Sequence, residues 1–119
     1  MTTMQWLLLL IGVLMSAVGG LFLKIGAVQI QYGDGVVEVV RQVAFNWKIA
    51  TGVLMYFIPV LIWIFLLKKV ELSFLQPMFS MVYVVTPLLA VVFLNENVSA
   101  ARSLGIGAII VGVIIVARS

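Results

Sequence analysis

Residues 49–94 read "IATGVLMYFIPVLIWIFLLKKVELSFLQPMFSMVYVVTPLLAVVFL": two apolar runs, Ile49 to Leu67 and Leu72 to Leu94, separated only by Lys68-Lys69-Val70-Glu71. Each run has the length, roughly 20 residues, that a helix needs to cross the hydrocarbon of a bilayer. Backbone groups inside a bilayer find no water, so they must bond within the segment, and the runs are predicted to be helices joined by a tight turn. Further runs flank them, Met4 to Leu23 and Ala100 to Ala117. The expected fold class is therefore all-α, a four-transmembrane-helix bundle forming a single domain over residues 1–119.

Composition agrees with a membrane solvent. The chain is 65% hydrophobic and 9% charged, with a mean hydropathy of +1.31, far from the values of soluble domains. Its net charge of +3 does not point to nucleic acid, because the basic residues are scattered and form no run. Cysteine and histidine are absent, which excludes disulfides, thiolate or imidazole metal ligation and cysteine–histidine nucleophilic chemistry. No cofactor or metal is expected. The first run lacks a basic stretch ahead of it, so it is expected to be a retained span, although Val18-Gly19-Gly20 weakly resembles a cleavage site.

The long connection falls between the first and second runs. Gly33-Asp34-Gly35 marks a turn, and Val36, Val40, Val43, Ala44 and Trp47 then recur at helical spacing, with Glu38, Arg41 and Gln42 on another face. This spacing predicts a short amphipathic helix lying on the membrane surface or on the bundle. Ser99 is placed to cap the fourth helix. Basic residues are nearly balanced between the ends of the spans: Lys24, Arg41, Lys48 and Arg102 against Lys68, Lys69 and Arg118. The positive-inside rule therefore selects neither orientation, and assembly with a copy, an inverted copy or a partner subunit is open.

Each span carries a stripe that lipid alone does not require. In the first, Gly12, Ser16, Gly20 and Lys24 share a face; in the second, Gly52, Tyr56, Pro59 and Trp63 make an aromatic face with a proline kink. In the third, Ser73, Gln76, Ser80, Tyr83 and Pro87 collect nearly all the polar side chains into one column, a candidate cavity wall. Ala101, Gly105, Ala108 and Gly112 line the fourth. Gly12, Gly20, Gly105, Ala108 and Gly112 are expected to serve helix packing or dimer contact, since small side chains let backbones approach. Lys24, Ser16, Tyr56, Trp63, Gln76, Ser80 and Tyr83 are the candidate substrate-binding residues. Lys24 sits near the edge of the hydrocarbon, where it either snorkels to the headgroups or meets an anion.

Catalytic patterns are lacking. No G-x-x-x-x-G-K-[ST] loop is present, and the glycines of "GIGAIIVG" sit inside an apolar run and not after a soluble strand. The acidic residues Asp34, Glu38, Glu71 and Glu96 all fall at or beyond the ends of the runs.

The stretch Phe45 to Val116 resembles the drug/metabolite transporter superfamily, in particular its small four-helix EamA-like branch. The residues that carry the resemblance are Asn46, Gly52, Tyr56 and Trp63, then "VELSFLQPMFSMVYV" against a pattern of the type V-P-x-S-x-x-Y-P-x-x-S-x-x-Y-V, then Glu96, Ser99, Gly105, Gly107 and Gly112. The small multidrug resistance exporters, a more distant likeness, place a glutamate mid-way along the first helix; alignment on Leu23-Lys24 puts Ser16 there. The small subunits of the undecaprenyl phosphate-aminoarabinose flippase are the closer likeness, sharing "PM-x-S" in the third helix and a serine-containing first helix that ends in lysine. Gln76 in place of the tyrosine before the proline and Glu71 in place of a proline are departures. The resemblance implies a multi-pass protein of the bacterial inner (plasma) membrane, not an enzyme. It would move a lipid-linked or amphipathic solute as a homodimer, or as a heterodimer with a related four-helix subunit. A cation or metabolite exporter of the same fold, and a non-transporting subunit that anchors a glycosyltransferase, are the alternative functions.

Overall fold

The computed structural model describes residues 2–119 and is built from helices: α1 (Thr3–Val28), α2 (Val36–Phe45), α3 (Trp47–Leu67), α4 (Leu72–Phe79), α5 (Val82–Leu94) and α6 (Ala100–Ala117). Four spans are long and apolar enough to cross a membrane: α1, α3, α4 with α5 as one span, and α6. The all-α four-span architecture is thus observed, with α2 as the short helix in the first connection. Short turns reverse the chain after α3 and after α5, so successive spans run antiparallel.

α1 opens with a reciprocal cap: Gln5 N–H donates to Thr2 Oγ1 at 3.3 Å and Thr2 N–H donates to Gln5 Oε1 at 2.9 Å. It continues past the end of its apolar run, through Lys24 to Val28. The extension holds because Lys24 is exposed while Gly26, one turn's fraction away, is buried against Ile49 of α3.

α1 is the central helix, packed along α3 and also against α5. A glycine pair sets how closely α1 and α3 cross. A Cβ added to Gly52 would lie 2.9 Å from the Gly19 carbonyl oxygen, and one added to Gly19 would lie 3.1 Å from the Gly52 carbonyl oxygen. Nearer the start of α1, Leu9 and Val13 meet Leu66, Leu75 and Met78 in a buried apolar cluster that ties α1, α3 and α4 together. Hydrophobic solvation cannot drive such contacts between helices in lipid, so close packing of these side chains and backbones is what holds the bundle. α6 packs mainly on α4 and α5 and has no buried residue. Ser99 caps it as expected, its Oγ accepting from Arg102 N–H at 3.2 Å.

Two further boundaries differ from the apolar pattern. Trp47, spaced as though it belonged to the amphipathic helix, is the first residue of α3, because Asn46 interrupts the chain as a cap. Asn46 Oδ1 accepts from Lys48 N–H at 3.0 Å and Ile49 N–H at 3.4 Å, and its Nδ2 donates to the Gly26 carbonyl at 3.4 Å and Gln29 Oε1 at 3.3 Å. The third span is likewise not one regular helix. Between Pro77 and Pro87, each of which removes a backbone donor, the ladder tightens: Ser80 N–H donates to Pro77 O at 3.0 Å and Met81 N–H to Met78 O at 3.2 Å. These three-residue bonds separate α4 from α5.

α2 comes after a turn in which Gly33 and Gly35 adopt φ of 124° and 94°, values that suit residues without a side chain. Its polar face is the one tied down. Gln42 clasps the backbone of Gln31, accepting from its N–H at 2.8 Å and donating to its carbonyl at 3.0 Å. Val36, Val37, Val40 and Phe45 are exposed. α2 is thus tied down by its polar edge, while its apolar edge is turned out.

Candidate functional site

A cavity of about 180 Å³ opens between α1, α3 and α4. Ser16 forms its α1 wall, Tyr56, Pro59, Val60 and Trp63 its α3 wall, and Gln76 and Phe79 its α4 wall. The stripe on α1 shapes it. Ser16 is the buried polar side chain of the core, and the glycines one turn to either side leave room for aromatic rings. A Cβ on Gly12 would lie 3.1 Å from Phe79 Cζ, and one on Gly20 would lie 3.2 Å from Tyr56 Oη. Phe79 in turn leans on Trp63, with ring centroids 6.2 Å apart at 52°.

The hydrogen-bonding inventory of this cavity is uneven. Trp63 Nε1 is buried and has no hydrogen-bond partner among the described residues. An unpaired buried donor costs about 1–3 kcal/mol, which a ligand acceptor would offset. Ser16 adds a hydroxyl that both donates and accepts, and Gln76, exposed at the rim, adds an amide. No carboxylate lines the cavity, since Asp34, Glu38, Glu71 and Glu96 all lie outside the membrane-spanning helices. The site is therefore suited to neutral hydrogen-bonding groups set between aromatic faces.

Of the candidate residues, Ser16, Tyr56, Trp63 and Gln76 come together here. Ser80 does not line the cavity, and its hydroxyl donates to the Pro77 carbonyl. Tyr83 is 63% exposed and also lies outside it. Lys24 is exposed and free of ion pairs among the described residues, two turns beyond Ser16 toward the end of α1. Gly12 and Gly20 pack as described, whereas Gly105 and Gly112 have nothing within 4 Å of an added Cβ, and Ala108 is exposed. Val60, Phe79 and Gly19 escaped the pattern reading. Phe79 carried a signal, its three-residue spacing from Gln76; Gly19 carried none beyond being the second glycine of a pair.

The model of the EamA-like transporter family matches residues 13–118, a stretch that includes every residue lining the cavity. The chain belongs to the EamA-like transporter family. No curated protein and no solved structure gives a match. For an EamA-like chain with four apolar spans, the setting is a membrane crossed several times and the family's role is transport. Within that setting the cavity is the natural candidate for contact with the transported solute. It sits mid-way along α1 and α3, and it combines apolar walls with a small number of polar groups.

Proposed function

We propose that this EamA-like chain moves a lipid-linked, polyprenyl-phosphate-sugar-like solute across the bacterial inner membrane, acting as a flippase subunit. The observation that carries the reading is a cavity lined by Ser16, Gln76 and Trp63, the last with a buried N–H that has no hydrogen-bond partner among the described residues. A sugar offers hydroxyl acceptors and donors to these groups and C–H faces to Trp63, Tyr56 and Phe79. The phosphate of such a substrate is served by Lys24, which is exposed two turns beyond Ser16 and makes no ion pair among the described residues. The likeness to the aminoarabinose-lipid flippase subunits supports the same class. No carboxylate lines the cavity to pair with a cationic substrate. The open Ala108 and Gly112 positions of α6 suit a second copy or a related four-helix subunit.

The test is the lipid that stays with the purified protein. Mass spectrometry of extracts should find polyprenyl-phosphate-linked sugars with the wild-type chain and a marked loss with Trp63→Phe, which keeps a ring but removes the donor. Tyr83→Ala, outside the cavity, should retain them. Equal recovery from wild type and Trp63→Phe would refute the assignment of this cavity. Absence of such lipids from both, with reconstituted transport of a quaternary or guanidinium cation, would favour the exporter.

A further inference from the structure

A second groove lies farther along the third span. It measures about 490 Å³, within the range of lipid- and drug-sized sites, and runs between α5 and α6. Pro87, Ala90, Ile106 and Ile109 form its walls, and Gly105 leaves part of it open because nothing lies within 4 Å of where a Cβ would be. α6 is held to the bundle mainly through α4 and α5 and has no buried residue, so the groove is bordered by a helix that faces the bilayer. At hydrocarbon depth water does not fill such a slot, and an acyl chain is the local solvent.

The mouth of the groove is not apolar. Glu96, Asn97 and Arg102 line it. Neither charge forms an ion pair among the described residues, where the pair is Arg41 with Glu38. Both backbones are fixed at the membrane edge. Asn95, with a left-handed φ of 55°, ends α5, and Glu96 N–H donates to the Ala90 carbonyl at 3.3 Å. On the facing side the Ser99 cap holds the Arg102 N–H at 3.2 Å. One carboxylate and one guanidinium thus sit over an apolar slot, and the ligand complementary to that set has an apolar tail, a phosphate and an ammonium.

We propose that the α5–α6 groove is a binding site for a zwitterionic aminophospholipid of the phosphatidylethanolamine type, with its phosphate on Arg102, its primary ammonium on Glu96 and one acyl chain between Pro87 and Ile106. This site is separate from the Trp63 cavity and does not depend on the solute that cavity takes. A phosphatidylglycerol headgroup leaves Glu96 facing an anion with no cation to balance it. Phosphatidylcholine brings a cation without an N–H to donate.

Native mass spectrometry of the full chain, released from detergent with equal amounts of dioleoyl phosphatidylethanolamine, phosphatidylglycerol and phosphatidylcholine, tests the assignment. The wild type should hold phosphatidylethanolamine about fivefold more tightly than either competitor, the scale of two exposed charge contacts. Glu96→Gln should abolish the preference over phosphatidylcholine while leaving total lipid binding in place. Arg102→Gln should weaken all three, and Gly105→Leu, which fills the slot, should reduce every adduct. Glu96 and Arg102 are exposed, so the first two variants keep the fold intact. Equal binding of the three headgroups by the wild type, or a phosphatidylethanolamine preference that survives Glu96→Gln, would overturn the proposal. So would loss of a dimer peak in Gly105→Leu with unchanged lipid adducts, since the groove would then be an interface between copies.

Discussion

Replacing Gly52 with alanine should loosen the bundle at its closest crossing. The new Cβ would stand 2.9 Å from the Gly19 carbonyl oxygen and 2.8 Å from Leu23 Cγ. Leu23 can rotate away, but the carbonyl belongs to the α1 backbone, so α1 and α3 must separate. Overpacking of this kind costs about 1–3 kcal/mol. Alanine also gains about 1 kcal/mol of helix propensity over glycine, which partly hides the clash. Gly107→Ala provides the correction, because Gly107 lies within α6 with nothing within 4 Å of an added Cβ. The propensity gain is common to both variants, so their difference isolates the steric cost, and Gly52→Ala should be less stable than Gly107→Ala by about 1–3 kcal/mol. Reversible unfolding by dodecyl sulfate titration in mixed micelles measures it. Equal stabilities would refute the role given to the Gly19–Gly52 contact. The same separation would shift Ser16 relative to Tyr56, so binding in the cavity should fall with stability.

Asn46→Ala removes the cap of α3 and the links to Gly26 and Gln29, and should lower unfolding stability in the same titration by about 1–2 kcal/mol. Lys24→Gln should leave folding and assembly unchanged, because Lys24 makes no ion pair among the described residues, yet weaken binding of polyprenyl phosphate and flatten its salt dependence; a binding curve unaffected by the change at low salt would return Lys24 to simple snorkelling. For α2, a nitroxide at Val40→Cys should be more accessible to oxygen than to a water-soluble nickel complex, and one at Arg41→Cys the reverse. The opposite order would place the apolar edge of α2 away from lipid.

Hydropathy carried the architecture a long way. The apolar runs Leu72 to Leu94 and Ala100 to Ala117 have the same outer limits as the third and fourth spans. It failed where backbone bonding, not side-chain solvation, decides. The first run stops at Lys24 because a charge appears, yet the helix continues until Gln29 caps it. Trp47 shares the spacing of Val40 and Val43, but the Asn46 side chain starts a new helix there. The candidate site divides for a related reason. Tyr56, Pro59 and Trp63 lie on one regular helix and reach the cavity together, as a uniform turn of 100° per residue requires. On the third span that uniformity ends at Phe79. Three-residue bonds at Ser80, Met81, Tyr83 and Val84 interrupt the regular turn there, and Tyr83 lies outside the cavity that Gln76 lines. Side-chain spacing alone does not reveal that interruption, nor which glycine of the pair Gly19-Gly20 meets α3 at its crossing.

Translocation is the property that the cavity assignment stands on. In proteoliposomes, a fluorescent polyprenyl-phosphate-linked sugar placed in one leaflet can be tracked by its loss of accessibility to a membrane-impermeant quencher. Purified wild-type protein, with a partner subunit if assembly requires one, should move the probe, and Trp63→Phe should slow it by about tenfold, the loss of one buried hydrogen bond to substrate. Wild-type rates retained in Trp63→Phe, with the variant folded and inserted, would contradict a polar headgroup passing through the Ser16–Trp63–Gln76 cavity.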